Sequence, residues 1–247
     1  MTSSTRRRRR SPLRALVITL VVLAVLLVVA DRVALVIADR AIAARVQSTQ
    51  NLSRRPGVHI EGFPFLTQVI ANKYRAVRLN ASDVTVGDSN RKVTMKTVNA
   101  RATGIHTTRD FSQATADTVS GTATVTYAEL SQVVGVPLRY DGTGSDGAGR
   151  VATTKTLSAL GLSVTGSVSA EVNVLGGDRL QFSQVRVTLA DTGVSLPQST
   201  TDQFLSVFGN QLSLSGLPFG LRIDRIIATE AGVAVTGSGT NVPLNSN

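Results

Sequence analysis

Cysteine and tryptophan are absent from this chain, and aromatic and charged side chains are scarce. Without cysteine, the protein can form no disulfide, thiolate metal site or thiol nucleophile. Aromatic residues make up only 4% of the 247 residues, so little is available to stack on bases, and we predict no nucleic acid partner. Charged residues make up 17%, while Val, Thr, Ser, Gly and Ala are abundant, a mixture that favours strands over helices.

The formal net charge of +10 is unevenly distributed along the chain. Six of the positive charges lie near the N-terminus, at Arg6–Arg10 and Arg14. The remainder carries 20 basic and 16 acidic residues, so the basic character belongs mainly to the N-terminal tail. A run of arginines can indicate nucleic acid binding, but directly before an apolar run it favours a cytoplasmic N-terminus with the rest of the chain outside.

An uncharged apolar run, Ala15–Ala30, follows the arginines. As a helix it spans about 24 Å, slightly short of a bilayer core of about 30 Å. Leu13 before it and Val33–Ala38 after it can extend the span, and we favour an uncleaved membrane anchor. A cleaved signal peptide, with the small residues at 41–43 as its cleavage site, is the competing interpretation.

The chain divides into four parts on the anchor interpretation. We predict a basic cytoplasmic tail at 1–14, a transmembrane anchor helix with its extension at 15–50, a linker at 51–57 and a folded domain at 58–247. The linker contains Pro56 and Gly57, which break regular structure. The remaining length suits one domain with a sizeable core.

A short phrase occurs twice, near either end of this domain. Ile60–Phe65 and Leu214–Phe219 both read apolar, polar, Gly, large apolar, Pro, Phe. Gly supplies backbone freedom and Pro fixes φ, so each phrase turns the chain sharply while presenting two large apolar side chains. The first leads into a helical pattern at about 64–72, and the second into an alternating, strand-like run. The alternative explanation is that the repeat arose by chance, because Gly-x-Pro is common in the turns between secondary-structure elements.

Alternating apolar and polar residues predict strands through most of the domain, and their phase slips in several places. The slips fall at Asp83, after Met95 and before Val185, and a bulge or bend leaves this kind of slip in a sequence. The clearest alternation, Leu162–Val174, predicts a strand of about 43 Å. Long strands that change phase indicate a highly curved antiparallel sheet, and further helices are predicted at about 128–134 and 197–208. The predicted fold class is therefore α+β.

Patterns typical of catalysis or metal binding are missing. His59 and His106 lie in different segments without a nearby carboxylate pattern, so surface or structural roles are favoured over metal binding. No Gly-x-Ser-x-Gly elbow occurs, and the literal dinucleotide pattern at Gly142–Gly147 does not connect a strand to a helix. We therefore predict no catalytic residues, no metal and no cofactor.

Motifs at both ends of the domain carry a family resemblance: Glu61–Gln68, Tyr74–Leu79, Leu217–Ile223 and Gly232–Gly239. They resemble the actinobacterial LmeA-like phospholipid-binding family over about 59–244, although residues 87–196 are similar mainly in their general residue pattern rather than in specific motifs. The resemblance implies a periplasmic cell-envelope protein that binds phospholipid at the membrane and supports lipomannan assembly, with envelope glycosyltransferases as protein partners. It also implies a fold like that of tubular lipid-binding proteins, in which helices pack against the curved antiparallel sheet.

A lipid site needs a concave apolar surface for acyl chains and a few basic groups at its mouth for the headgroup. The apolar candidates lie in and around the two phrases: Phe63, Phe65, Leu66, Val69, Ile70, Phe204, Leu205, Phe208, Leu217 and Phe219. The headgroup candidates lie beside the phrases: Lys73, Arg75, Arg78 and Arg222. The alternative for each apolar residue is an ordinary core position, and for each cation it is solvated surface charge. We expect the two phrases to meet across one apolar groove.

The leading hypothesis is a membrane-anchored, extracytoplasmic protein that holds or carries phospholipid without catalysis. An alternative is a non-catalytic structural or adaptor protein that positions envelope biosynthetic enzymes. A hydrolase with an unusual site is the third hypothesis. An apolar groove open to solvent would favour the first over the second, and a paired Ser and His in a cleft would favour the third.

Overall fold

A computed structural model describes residues 12–49, 52–87, 92–110, 112–144, 147–159, 162–174, 179–189, 211–213 and 221–244. Within these residues the chain forms three helices and eleven strands. The helices are α1 Pro12–Thr49, α2 Phe65–Ala71 and α3 Tyr127–Val134. The strands are β1 Gly57–Glu61, β2 Lys73–Gly87, β3 Lys92–Thr107, β4 Ala114–Val125, β5 Leu138–Thr143, β6 Gly149–Ala159, β7 Leu162–Val174, β8 Arg179–Leu189, β9 Gln211–Ser213, β10 Arg222–Thr229 and β11 Gly232–Pro243.

The described strands form two antiparallel sheets. The first has six strands in the order β1-β2-β3-β4-β11-β10, and the second has five in the order β5-β6-β7-β8-β9. The predicted α+β class with antiparallel strands and a long apolar N-terminal helix is confirmed. The long alternating run forms β7 over the residues predicted for it, whereas the high curvature of the sheet stays a prediction.

The predicted phase slips correspond to irregularities in the strand ladders. Asp83 has a positive φ of 54°, and the pairing of β2 with β3 passes over it. The register of β3 against β4 shifts between Met95 and Thr97. Gln184, directly before Val185, has a φ of 51° where β8 shifts register against β7. The last two are bulge positions, because an extra residue in one strand reverses the alternation that follows it, whereas at Asp83 the register of β2 against β3 is unchanged.

Local signals explain where the two short helices begin and end. Pro64 precedes α2 in an extended conformation, and Asn72 ends the helix in the left-handed conformation with its N–H on the Gln68 and Val69 carbonyls. The Thr126 side chain accepts a hydrogen bond from the Glu129 N–H and thereby caps α3. The helix predicted at about 64–72 is confirmed within a residue at each end.

Two apolar clusters hold the described elements together. The larger cluster joins β10 and β11 of the six-stranded sheet to β6, β7 and β8 of the other sheet. Its buried members are Val151, Val168, Ala170, Val172, Ile223, Ile226, Ala228 and Val233. The smaller cluster joins α1, β1 and α2 through Leu35, Ile60 and Phe65. The first phrase is therefore part of a contact between the N-terminal helix and the sheet.

Helix α1 has two parts that lie in different environments. It is long and apolar enough to cross a membrane, and its large apolar side chains from Leu13 to Val29 are all exposed. From Asp31 onward one face of the helix is buried against the rest of the protein, with Leu35 and Ala43 among the buried residues. By length and composition this helix fits a membrane anchor or a signal sequence.

Candidate functional site

An open pocket of about 380 Å³ lies beside the first phrase. Its lining residues come from the phrase, α2, β2 and the end of β3: Phe63, Pro64, Thr67, Gln68, Lys73, Tyr74, Arg75, Gly104, Ile105 and His106. The lining includes apolar and aromatic side chains together with the two cations Lys73 and Arg75. This combination suits an amphipathic anion better than a neutral polar ligand.

Helix α2 and strand β2 follow one another almost without a loop, and this fixes one side of the pocket. Asn72 turns the chain in the left-handed conformation, and its carbonyl accepts a hydrogen bond of 3.0 Å from the Thr107 N–H. The Gln68 side-chain oxygen accepts a hydrogen bond of 2.9 Å from the Arg75 N–H. Gly62 has a φ of 111°, and a Cβ there would lie 2.7 Å from the Gln68 side chain, so the turn needs glycine.

The end of β3 forms the other side of the pocket through the strand register. Lys73 pairs with His106 and Tyr74 with Ile105, whereas the ladder passes over Arg75 and Gly104. Gly104 has a φ of 59°, and a Cβ there would lie 2.1 Å from the Asp117 carboxylate. This local irregularity lies directly beside the cations, and it leaves the register of β2 against β3 unchanged.

The cations on β2 differ in their electrostatic surroundings. Among the residues that the structure describes, no carboxylate lies within ion-pair distance of Lys73 or Arg75. Arg78, in contrast, pairs with Glu61, which also accepts a hydrogen bond of 2.7 Å from Arg101. Lys73 and Arg75 are thus open to an external anion, whereas Arg78 already has a carboxylate partner.

Glu61 titrates as part of this ion-pair cluster. The hydrogen bond from Arg101, together with the charges of Arg101 and Arg78, holds the pKa of Glu61 below its usual range. A depressed carboxyl pKa stabilises the fold at pH values above the unfolded pKa, and this stabilisation is lost as the pH falls through the folded pKa.

We expect Glu61→Gln to weaken the dependence of the melting temperature on acidic pH. The wild-type melting temperature should fall from about pH 5 downward, where unfolded glutamate begins to bind protons. The variant should be less stable than wild type near neutral pH, and the two curves should converge as Glu61 is protonated. Thermal unfolding from pH 7 to pH 3 measures this, and parallel curves would contradict the proposed role of Glu61.

The structure brings together three of the predicted site residues and separates others. Phe63, Lys73 and Arg75 line the pocket. Phe65, Leu66 and Val69 belong to the smaller apolar cluster, where Phe65 is 5% exposed and its ring centroid lies 6.4 Å from that of Tyr74. Ile70 is 82% exposed and lies outside the pocket lining. Arg222 lies on β10, the opposite edge of the six-stranded sheet from β1.

The second half of the predicted site lies outside the described residues. This applies to Phe204, Leu205, Phe208, Leu217 and Phe219, and to the helix predicted at about 197–208. The meeting of the two phrases across one groove therefore stays a prediction.

Sequence reasoning missed the contribution of β3 to the pocket. His106, expected to be a surface or structural residue, lies on the pocket wall with its Nε2 3.6 Å from the Asp117 carboxylate. Gly104 and Ile105 were not identified at all. They come within reach of Lys73 only through strand pairing, and no local pattern signals that pairing.

A second open pocket, of about 500 Å³, lies where β5 and β6 approach the end of β10. Its lining residues are Tyr140, Thr143, Gly147, Gly149, Ile227, Ala228, Thr229, Glu230 and Ala231. This lining includes the carboxylate of Glu230 and no lysine or arginine, so it suits an anionic headgroup less well than the first pocket. Among the described residues, no group of three His, Asp or Glu side chains is placed to hold a metal ion.

A family model described as LmeA-like phospholipid-binding matches residues 29–238. The chain belongs to this family. No curated protein and no solved structure gave a significant match. The LmeA-like match includes the docked part of α1, the first phrase and the cation-bearing end of β2, so the resemblance drawn from the motifs is confirmed. Membership of the LmeA-like family supports phospholipid binding as the function of the domain.

Proposed function

We propose that this LmeA-like protein is a membrane-anchored, extracytoplasmic phospholipid-binding protein that holds or carries lipid without catalysis. One observation supports this most directly: Lys73 and Arg75, which have no carboxylate partner among the described residues, line the same pocket as the exposed ring of Phe63. We further propose that the bound lipid is used in envelope lipoglycan (lipomannan) assembly, and that envelope glycosyltransferases are the protein partners.

The pocket can bind the two halves of a phospholipid by different interactions. The Arg75 guanidinium and the Lys73 ammonium are the natural partners of a phosphate, because charge-assisted hydrogen bonds to phosphate oxygens are strong. Phe63, Pro64 and Ile105 offer apolar surface to the first part of an acyl chain. A pocket of this size holds the headgroup region, and the acyl chains extend beyond the described lining.

The contacts of α1 favour an anchor over a cleaved signal peptide. Cleavage at 41–43 would remove Asp31, Leu35 and Asp39 from the protein. The Asp31 carboxylate accepts a hydrogen bond of 2.7 Å from the Leu66 N–H, and Asp39 accepts one of 3.0 Å from the Ile60 N–H. Removal of these residues would leave both N–H groups without partners and uncover Ile60 and Phe65, so the folded domain depends on an intact helix.

We expect Lys73→Gln combined with Arg75→Gln to remove most of the bound phospholipid while leaving the fold intact. Each lost charge-assisted hydrogen bond weakens binding by about 1.5–3 kcal/mol, or roughly 10–150-fold in affinity. The measurement is mass spectrometry of organic extracts from the full chain purified from membranes, with the intact protein mass recorded to show that α1 is retained.

Arg78→Gln provides the matched control, because it removes a positive charge from the same strand outside the pocket lining. This variant should keep its lipid. Equal lipid content in the double variant and the control would overturn the proposed site. A wild-type protein that carries no phospholipid would overturn the proposed function.

A further inference from the structure

Exposed large apolar side chains outside α1 are concentrated at one end of the six-stranded sheet. Among the described residues they are Phe63, Ile70 and Leu244, with exposed fractions of 57%, 82% and 37%. Phe63 lies just before α2 and Ile70 lies in its last turn, and the chain then enters β2 at Lys73. The strand register continues from Lys73 to His106, to Thr115 and to Pro243, next to Leu244. All three side chains therefore belong to the same end of the strands.

The membrane-crossing part of α1 ends at the level of this surface. The nineteen residues from Pro12 to Ala30 form about 28 Å of helix, close to the thickness of a bilayer core. Asp31, the next residue, is 2% exposed and bonded to the start of α2. The Arg32 guanidinium lies 4.9 Å from the centre of the Phe63 ring. Phe63 is thus fixed beside the point where α1 would leave the hydrocarbon.

The contact between α1 and the domain is too extensive for a free tether. Hydrogen bonds join Asp31 to α2 and Asp39 to β1, and these carboxylates lie about two helical turns apart. Leu35 lies between them and is buried against Ile60 and Phe65. Two hydrogen bonds with an apolar contact between them fix the orientation of the domain relative to the helix.

We propose that Phe63, Ile70 and Leu244 form a bilayer-contact surface that rests in the phospholipid leaflet around the exit point of α1. The occupant is phospholipid because this surface continues the exposed apolar surface of the helix, and because Lys73 and Arg75 supply cations where lipid phosphates lie. Phe63 belongs to both this surface and the pocket lining. Lipid therefore passes between the leaflet and the pocket beside Phe63 without crossing water.

On the face of α1 that points away from the domain, apolar side chains remain exposed further along the helix, beyond Asp31. Val33, Val36 and Ile37 are 46–63% exposed, although they follow Asp31 in the sequence. A tilted helix produces this asymmetry, because its two faces leave the bilayer at different heights. The domain-facing side leaves first, at Asp31, which places the first phrase at the bilayer surface.

The absence of tryptophan makes this surface directly testable. Single substitutions Phe63→Trp and Ile70→Trp are introduced into the full chain in vesicles of phosphatidylcholine and phosphatidylglycerol with brominated acyl chains. Both tryptophans should be quenched by the bromine and emit at shorter wavelength, as expected for side chains about 5–10 Å into the headgroup and acyl boundary. The matched control is Gln132→Trp on the exposed surface of α3, which lies about 35 Å along the strands and should show no quenching.

The outcomes separate this surface from the proposed function on which its anchor rests. Quenching at 63 and 70 but not at 132 supports the surface. Equal quenching at all three positions, or none, overturns it, and a blue shift at 63 and 70 without quenching assigns the surface to a protein partner or a second copy instead. Phospholipid extracted from the same samples reports on the pocket independently. A lipid-loaded protein without quenching would therefore overturn the bilayer-contact surface but not the proposed function.

Discussion

Phe65→Ala should lower the free energy of unfolding by about 3–5 kcal/mol, a large share of the stability of an ordinary domain. Phe65 is 5% exposed and packs against Leu35 of α1 and Ile60 of β1. Truncation leaves a cavity between the helix and the sheet, which cannot close without moving α1. Chemical denaturation of the full chain in detergent, followed by strand circular dichroism, measures the loss.

Phe63→Ala is the matched control, two residues earlier in the same phrase. Its ring is 57% exposed and has the Arg32 guanidinium as its aromatic-face partner, so its loss should cost less than about 1 kcal/mol. Lipid content should respond in the opposite order, because Phe63 lines the pocket. Similar stability losses in the two variants would contradict the division of the phrase into a core residue and a surface residue.

Arg150→Met should also destabilise the protein by about 3–5 kcal/mol, because it removes the cation of a buried ion pair. The Arg150 and Glu171 side chains are 4% and 3% exposed, and their closest nitrogen and oxygen atoms lie 3.1 Å apart. Arg150 also donates a hydrogen bond of 2.7 Å to the Gln184 carbonyl, at the bulge in β8. One side chain thereby joins β6 to β7 and β8.

Arg139→Met tests whether burial, rather than charge, is the cause. Arg139 lies on β5 of the same sheet and pairs with Asp141 at 3.1 Å, but its side chain is 53% exposed. Water screens this pair, so its loss should cost less than about 1 kcal/mol. The double variant Arg150→Met with Glu171→Leu should recover part of the lost stability, since the buried carboxylate is removed together with the buried guanidinium. If Arg150→Met and Arg139→Met have equal effects, the buried pair has no special role.

Local sequence determined the features that depend on neighbouring residues. Pro64 predicted the start of α2, because Pro suits the first helical turn, and the structure ends the helix at Asn72 in the left-handed conformation that Asn tolerates. The bulges after Met95 and before Val185 were predictable because an extra residue reverses the alternation along its own strand. Motifs at both ends of the domain carried the family resemblance, since each is one contiguous stretch of sequence. The long apolar helix near the N-terminus was predictable from composition alone.

Tertiary structure decided which of these residues act together. Alternation shows which side of a strand faces the core but not which strand lies beside it, so the division into two sheets was not predictable. The same limit hid His106, which lies 33 positions after Lys73 and meets it through the register of β2 and β3. The difference between Arg75 and Arg78 depends on Glu61, and Phe65 became a core residue because Leu35 packs against it. These contacts depend on pairing between segments that are distant in the sequence. The local sequence around one residue does not identify the distant residue that it contacts.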